Sequence, residues 1–582
     1  MRMNKKSFPL VLLSIILVFL VFKPIFIEAQ IPTGQDVGSL ERKIEETKKE
    51  KEIRQKLLKE KEEAEIKEKG KIAPEAPEAL KAPEAKVLIK EIVVDGVTVL
   101  SPSSIKAIVG PYEGKELTLE DFRNIADSIT DEYRKKGYVT SIAYLPPQRI
   151  RNNILRINVA EGRVGDITLA GNKYFRKKLL LRYVTLKKGD LFNYDVLRND
   201  IDNLNEHPDR SSRVLLARGE EPGQTDIDIQ VKERLPFHVT LGYDNYNSCY
   251  LDRNRYSAEL KATNLLGFDD IASVEVQLGE ADRYQLYSAR YMLPITSRWK
   301  AGAYYIHLDQ ELGKEVKRFN IEGEGDIIST YVSYKLLDTD NLVLHINPGF
   351  EYKDIENRVL GIVVGEDDIR IAKIGFDLDS TDKFNGRTIL TQEFDLGIED
   401  ILGGLGHKDP KASRVGAGGR FFRTVTNVAR VQNLPASTSM MLRGAMQLTP
   451  YNMVASEQFT IGGFTTVRGY PTAEYAGDRG YTLSAELYVP PYGVPKNLKV
   501  PFTDTTFFDA IRFLAFFDWG YVENKNPQVG ELKSETLYSA GPAVRFDIPE
   551  KGSISFDYGF QLGQKASNGT RSRYYIEVKT YF

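Results

Sequence analysis

The chain has 582 residues and a formal net charge of −2 at pH 7, so its length predicts several domains and its charge gives no basic field for a nucleic-acid partner. Its single cysteine excludes an intrachain disulfide and a multi-cysteine zinc site. A mean hydropathy of −0.34 argues against a bundle of membrane helices, and 31 Tyr with 28 Phe are compatible with a membrane β-barrel.

The N-terminal residues 1–29 are typical of a secretory signal peptide. A basic start at Arg2, Lys5 and Lys6 precedes an uncharged apolar run from Leu10 to Phe22. That run is shorter than the roughly 18–20 residues that a membrane-spanning helix needs. An uncleaved N-terminal anchor is the alternative interpretation.

Residues 30–85 are predicted to form a charged helix followed by a linker. Glu and Lys dominate residues 39–70, and their apolar residues are too sparse for a coiled-coil seam. Pro74, Pro77 and Pro83 then interrupt any periodicity and predict a semi-rigid linker.

Two segments with the element order βααββ follow, at 86–162 and 163–235. In the first, Val87 to Val94 is predicted as a strand, and Thr118 with Asp121 begins a helix through a capping box. The inner face of that helix is apolar: Phe122, Ile125, Ala126, Ile129 and Tyr133. The inner face of the corresponding helix in the second segment is predicted to be Tyr194, Leu197, Ile201 and Leu204. One element order in two consecutive segments indicates an internal repeat.

From residue 236 to residue 582, short segments of alternating hydrophobicity recur between Gly, Asp, Asn and Pro residues. The segments Phe237 to Tyr243 and Tyr481 to Val489 show this period of two. In a soluble sandwich the apolar face would be core, whereas in a membrane β-barrel it faces lipid and the polar face lines the lumen. The secretory signal and the terminal Phe582 favour the barrel.

The stretch 460–480 is the centre of the functional hypothesis. It is rich in Gly and Pro, it is long for a connection between strands, and it carries one central cation, Arg468. Downstream, Asp518 is a carboxylate within an apolar run, on the predicted lumen face of its strand. We expect the loop to fold into the lumen so that Arg468 reaches Asp518, with Glu486 as a second anchor. A surface loop beside an unrelated strand acid is the alternative.

No enzymatic constellation stands out in the chain. The five histidines are scattered, and HExxH, GxSxG, Walker A and CxxC sequences are absent from the sequence. We therefore predict a protein that is not an enzyme and that has no catalytic residues, no metal site and no cofactor.

Together these features resemble the two-partner secretion transporters of the ShlB/FhaC/HecB type, within the superfamily of BamA. The residues that carry the resemblance are Val467-Arg468-Gly469-Tyr470, Phe516 with Asp518 and Gly520, and the segment 203–225. The resemblance covers roughly residue 86 to residue 582. It implies two periplasmic polypeptide-transport-associated (POTRA) domains, POTRA 1 (86–162) and POTRA 2 (163–235), before a 16-stranded outer-membrane β-barrel (236–582).

The resemblance also implies a function. The POTRA domains would recognise an unfolded, haemolysin- or adhesin-like partner protein in the periplasm, and the barrel would secrete it across the outer membrane. In that family the loop motif pairs its arginine with the strand aspartate inside the pore. The other partners would be outer-membrane lipid and the barrel assembly machinery, with no nucleic acid.

Three alternatives stay open at this stage. An assembly factor of the BamA or TamA type shares the loop arginine but has three or more POTRA domains. A passive porin does not need βααββ units, and a soluble sandwich-type binding protein would not need detergent for extraction.

Overall fold

The structure, a computed structural model, describes residues 86–582 apart from positions 249, 252, 340 and 529. The predicted signal peptide (1–29), charged helix and linker (30–85) lie outside the described residues. None of the helices in this part of the chain is long and apolar enough to cross a membrane.

POTRA 1 packs two helices against a mixed sheet. Its elements are β1 (Val87–Ile89), β2 (Glu91–Asp95), α1 (Pro102–Val109), β3 (Lys115–Leu117), α2 (Leu119–Lys135), β4 (Ile142–Tyr144) and β5 (Ile154–Ala160). The sheet order is β2-β5-β4, with β2 parallel to β5 and β4 antiparallel to it. The prediction of one strand over Val87 to Val94 was wrong, because Lys90 separates β1, which pairs with β3, from β2.

Helix α2 shows how the sequence specifies this unit locally. The Thr118 side chain accepts from the Asp121 N–H, and Asp121 accepts from the Thr118 N–H, so the predicted capping box is confirmed. All five residues of the predicted apolar face are buried in the POTRA 1 core. The helix period and its cap therefore agree, which is typical of an independently packed element.

POTRA 2 has the same arrangement of sheet and helices, with longer strands. Its elements are β6 (Arg163–Ala170), α3 (Lys177–Leu180), α4 (Tyr194–Asn205), β7 (Arg210–Arg218) and β8 (Gln224–Glu233). The sheet order is β6-β8-β7, which leaves β7 at an edge. Leu197 and Leu204 are buried as predicted, but Tyr194 is exposed. It is the first residue after the Asn193 cap, and its position in the first turn turns it away from the core.

The C-terminal region is a closed antiparallel barrel. Its strands are β9 (Phe237–Asp244), β10 (Arg255–Ala262), β11 (Ile271–Gly279), β12 (Tyr284–Pro294), β13 (Trp299–Glu311), β14 (Ile321–Thr339), β15 (Leu342–Val359), β16 (Ile362–Glu366), β17 (Ile369–Thr381), β18 (Gly386–Gly397), β19 (Phe421–Asn433), β20 (Ser439–Leu448), β23 (Arg479–Val489), β24 (Ile511–Glu523), β25 (Ser534–Ile548), β26 (Gly552–Gln561) and β27 (Ser572–Tyr581). β9 pairs with β27 and closes the barrel. Because β16 and β17 both pair with β15, they share one position, and the barrel has 16 strand positions.

The alternating pattern sorts side chains between the two faces of the barrel wall. On β24, Phe513 and Phe517 point outward and are 48% and 47% exposed, while Phe516 and Asp518 are buried inside. On β23, Leu483 and Leu487 are exposed outside and Glu486 is fully buried inside. This arrangement, apolar outside and polar inside, is that of a transmembrane barrel and the inverse of a soluble sandwich.

POTRA 2 is joined to the barrel turn between β10 and β11 by buried polar contacts. Arg210 Nη1 lies 2.6 Å and 2.8 Å from the two carboxylate oxygens of Asp269, which also accepts a 2.6 Å hydrogen bond from the Tyr183 hydroxyl. His207 Nδ1 accepts from the Asp209 N–H, so its Nε2–H donates to the Thr263 carbonyl at 2.7 Å. These contacts fix POTRA 2 to the turn between β10 and β11.

Candidate functional site

A long loop between β20 and β23, residues 449–478, fills the barrel interior. It contains a short hairpin formed by β21 (Phe459–Ile461) and β22 (Tyr475–Gly477). Between these strands the chain descends to the level of mid-strand residues of β24 and β26, and most of its side chains are buried. We call residues 449–478 the pore loop and residues 464–472 its tip.

Arg468, at the tip, forms a two-pronged contact with Asp518 on β24. Its Nε and Nη2 each lie 2.8 Å from a different carboxylate oxygen of Asp518, and its own backbone N–H donates to Oδ2 at 3.1 Å. The arginine is 1% exposed and the aspartate is fully buried. The structure therefore brings together the two residues that the sequence hypothesis paired.

Two further carboxylates face the same guanidinium. Arg468 Nη1 lies 2.8 Å from Glu486 Oε1 and 3.0 Å from Asp557 Oδ1. The face of the ring of Phe516 is 3.5 Å from the guanidinium carbon, a distance at which the ring quadrupole stabilises a cation. Glu486 thus lies where the sequence hypothesis put a second anchor, whereas Asp557 was missed.

The wall neutralises two of these three acids by itself. Arg443 Nη2 lies 3.1 Å from Glu486, and Arg545 makes two contacts with Asp557, at 2.7 Å and 2.8 Å. Asp518 instead receives a 2.7 Å hydrogen bond from Ser484 and both prongs of Arg468. Of the three acids, Asp518 therefore depends most on the pore loop for a countercharge.

The other residues of the two motifs shape the contact between the tip and the wall. A Cβ added at Gly520 would lie 2.8 Å from Val467 Cγ2, so the glycine leaves the space that the valine occupies. Gly469 has φ of +95°, and a Cβ there would lie 2.9 Å from the Gly559 carbonyl. The close approach of the backbone to the wall thus requires glycine on both sides.

Tyr470 and Tyr575 tie the backbone of the tip to the last strands. The Tyr575 hydroxyl donates to the Tyr470 carbonyl at 2.8 Å and accepts from the Gly469 N–H at 3.1 Å. The Tyr470 hydroxyl donates to the Gln564 carbonyl at 2.9 Å. All eight residues singled out in the sequence therefore lie in or against this contact.

A signal that would have revealed Asp557 is present in the sequence. The pattern Phe-Asp-x-Gly occurs at 394–397, 517–520 and 556–559, each time inside a barrel strand. Asp395, Asp518 and Asp557 are all fully buried, and each contacts an arginine. The pattern thus marks inward-facing carboxylates, and the sequence hypothesis used only one of the three copies.

A possible metal site lies elsewhere in the part of the chain that the structure describes. His307, Glu324 and Asp326 bring their ligand atoms within 4.8 Å of one another on the outward side of the barrel. His307 is already hydrogen-bonded to Asp309 and Asp326 through its two ring nitrogens. We therefore assign no metal to this cluster.

Comparison with known proteins covers most of the chain. The family described as haemolysin secretion/activation protein ShlB/FhaC/HecB matches residues 223–546, the ShlB-type POTRA domain matches 87–162, and the POTRA family described as surface antigen variable number repeat matches 163–234. The heme/hemopexin transporter protein HuxB of Haemophilus influenzae is 23% identical over 495 residues, 81% of this chain and 83% of HuxB. The outer membrane transporter CdiB of Escherichia coli is 21% identical over 471 residues, 78% of this chain and 76% of CdiB.

Two solved structures share the fold. CdiB from Escherichia coli superposes with a TM-score of 0.71 at 19% identity, covering 92% of this chain and 98% of CdiB. BamA from Haemophilus ducreyi lacking POTRA domains 1–3 superposes with a TM-score of 0.50 at 16% identity, covering 85% of this chain and all of that one. The chain belongs to the haemolysin secretion/activation protein family ShlB/FhaC/HecB, whose members are outer-membrane secretion pores with periplasmic POTRA domains and not enzymes.

Proposed function

We propose that this protein secretes one extended partner protein, which its POTRA domains recognise in the periplasm, and that Arg468 is the latch that keeps the pore closed. The partner would be haemolysin- or adhesin-like, as in two-partner secretion. Outer-membrane lipid surrounds the barrel in this proposal, and the barrel assembly machinery inserts it. Similarity to the transporters HuxB and CdiB supports the proposal.

The contact of Arg468 with Asp518 is the observation that carries the latch. When a pore opens, ion pairs and hydrogen bonds can be replaced by contacts with water or with the partner chain. An apolar plug would instead have to expose its apolar surface to water, which costs free energy. A single cation at the tip of the pore loop makes the ionic contact with the wall, so one side chain controls the contact with three wall acids. An extended partner chain entering from POTRA 2 would compete for the same groups.

The latch is tested by Arg468→Ala, with Arg443→Ala as the matched control. Arg443 also faces Glu486 but belongs to the wall strand β20, so its loss leaves the tip attached. We expect Arg468→Ala to abolish secretion of the partner and to increase the conductance of the channel in a planar bilayer. Arg443→Ala should reduce secretion several-fold at most. Heat-modifiable mobility in gels shows whether the variant barrel is folded. If a folded Arg468→Ala barrel secretes the partner at the wild-type level, the latch hypothesis is wrong.

The charge-exchanged pair Arg468→Asp with Asp518→Arg tests whether the two residues act together. Leaving either charge buried without its partner costs on the order of 3–5 kcal/mol, less where the lumen is wet. The double variant should therefore secrete more than either single variant. Equal loss in all three variants would argue that the pair does not act as a unit.

The POTRA 2 edge strand β7 is the proposed place of recognition. The Asn205 side chain bonds to both the N–H and the carbonyl of Ser212, on the side of β7 away from β8. Backbone groups at alternate positions point the same way, so those of Val214, Leu216 and Arg218 face outward. Leu215 and Leu216 are exposed apolar side chains on this edge. An extended partner chain can add here as a strand.

Leu216→Pro tests recognition at β7, with Leu216→Ala as its control. Proline removes an outward-facing N–H donor and is tolerated at a sheet edge, whereas alanine keeps the donor. We expect the proline variant to lose partner binding by about 10-fold or more and the alanine variant to keep most of it. Equal binding by the two variants would place recognition elsewhere, without affecting the latch.

A further inference from the structure

The base of the pore loop, by which we mean residues 453–457 and Asp478, carries charge opposite in sign to the tip. Glu457 lies just before the hairpin of β21 and β22, and Asp478 lies just after it, and both are fully buried. The tip therefore presents a cation to an acidic wall, whereas the base presents two anions. The charged side chains that contact these two anions are correspondingly cations.

Glu457 is held by cations from two different wall strands. Its Oε1 lies 2.8 Å from Lys353 Nζ on β15, and its Oε2 contacts Arg423 on β19. Arg423 is oriented in turn by Asp395, one of the three Phe-Asp-x-Gly carboxylates, at 2.6 Å. Glu457 is thereby fixed to the barrel wall by Lys353 and Arg423, and Asp395 holds Arg423 in position.

Asp478 is held by a cation from a different extracellular loop. Arg414, in the connection between β18 and β19, places Nη1 2.7 Å from Asp478 Oδ1. The same arginine binds Glu531, in the loop after β24, through Nε at 2.8 Å and Nη2 at 2.7 Å. The Met453 and Lys525 N–H groups each donate to Asp478 at 2.8 Å. Three loops thus meet at one carboxylate.

Two neutral side chains complete the base. Gln447 Nε2 donates to the carbonyls of both Glu457 and Asp478, at 2.9 Å and 3.0 Å, so it joins the two ends of the loop. Ser413, next to Arg414, accepts a 2.9 Å hydrogen bond from the Ala455 N–H through its Oγ. The base is therefore held by main-chain and side-chain contacts from several segments, whereas all ion pairs of the tip are made by the single side chain of Arg468.

We propose that Arg414, Glu457 and Asp478 are positioning residues that clamp the base of the pore loop while the tip moves. The loop then opens by a swing of the tip about Gly462 and Gly463, whose φ values of +103° and +96° mark a sharp change of chain direction, and the base stays in place. A fixed base keeps Arg468 within reach of Asp518, so the pore can close again after a partner has passed. This inference rests on the proposed mobility of the tip.

Amide hydrogen exchange of the full-length protein in detergent separates the two parts of the loop. The Arg468 and Gly469 N–H groups report on the tip, because they donate to Asp518 and Tyr575. The Met453 and Lys525 N–H groups report on the base, because they donate to Asp478. In Arg468→Ala we expect exchange at the tip to rise about 10-fold or more and exchange at the base to change less than about twofold.

Clamp variants give the opposite pattern. Arg414→Ala and the isosteric Asp478→Asn should each speed exchange at Met453 and Lys525, and Arg414→Lys, which keeps the charge but not the fork, should have a smaller effect. If Arg414→Ala does not fold, Asp478→Asn alone decides. Equal acceleration at base and tip in Arg468→Ala would overturn the clamp. That result does not depend on secretion, so it is distinct from a failure of the latch.

Discussion

The POTRA domains and the barrel interior bury opposite kinds of side chain. The POTRA 1 core is apolar and includes Ile125, Ile129 and Leu155, each at most 1% exposed. The barrel lumen instead buries Arg468 and Asp518 to the same degree. The cause is the surrounding medium: a periplasmic domain turns its polar residues to water, whereas a barrel turns its apolar residues to lipid and keeps the polar ones for the lumen.

This difference separates the parts held by apolar packing from the part that we propose to move. Apolar burial stabilises a domain in proportion to area and is lost only when water enters the core. Buried ion pairs lie close to balance between attraction and desolvation, so exchanging one partner for another changes the free energy little. This energy balance is the reason why we propose that the pore loop is displaced without unfolding of the barrel around it.

The strongest destabilisation is expected in the apolar core of POTRA 1. Ile125→Ala removes a fully buried side chain from the apolar core and should lower the free energy of unfolding of the domain by about 2–5 kcal/mol. The barrel should keep its heat-modifiable mobility and its conductance, because the two regions share no core. Thermal unfolding of the POTRA signal, measured by circular dichroism, checks the first expectation. A barrel that loses its closed conductance in this variant would show that POTRA 1 and the barrel interior are not independent.

An intermediate effect is expected where the pore loop meets the wall. Gly520→Ala places a Cβ 2.8 Å from Val467 Cγ2 and should weaken the attachment of the tip by about 1–3 kcal/mol, although every charge is retained. Channel conductance and secretion measure the effect. Adding Val467→Ala removes the valine methyl groups and should restore part of the closed state. A double variant as defective as Gly520→Ala would show that packing against Val467 is not the cause.

The smallest effect is expected at the junction of the two regions, where titration contributes. Burial lowers the pKa of His207 below its ordinary value of 6.5, and the neutral ring is the form that accepts from Asp209 and donates to Thr263. When POTRA 2 is detached from the barrel turn, His207 is exposed to water and binds a proton more readily. The free energy of docking is therefore most favourable above pH 6.5, where the ring is neutral in both states. Below that pH it weakens, by on the order of 1 kcal/mol per unit at most.

Exchange of backbone amides in residues 263–270 as a function of pH measures this docking. Arg210 and Asp269 pair with each other near His207 and belong to the same junction. His207→Gln keeps an amide group for the Thr263 carbonyl but does not titrate, so its docking should be independent of pH. The same pH dependence in both proteins would assign it to another group.

Local features of the sequence predicted a large part of the fold. The capping box at Thr118 and Asp121 and the apolar face of α2 were predicted because both depend on residues within a few positions of each other. The inward direction of Asp518 and Glu486 followed from strand alternation. The errors at Lys90 and Tyr194 lie at element ends, where the local pattern is shortest and tertiary pairing decides.

The charged interior was predicted only in part. Arg468, Asp518 and Glu486 came from motif and alternation, but Asp557 and the clamp residues Arg414, Glu457 and Asp478 did not. Each partner pair in these clusters is separated by tens of residues along the chain. Their meeting depends on how many strands lie between them and on how each strand is shifted against the next.

Spacing along the chain was sufficient to predict the order of most elements, the two faces of the barrel strands and the inward direction of Asp518 and Glu486. The register of β23, β24, β25 and β26 against one another set which inward side chains share one height in the lumen, and it brought Asp518, Glu486 and Asp557 around one guanidinium. Height and angular position in a closed wall are set by register around the whole ring, and no local pattern encodes that sum.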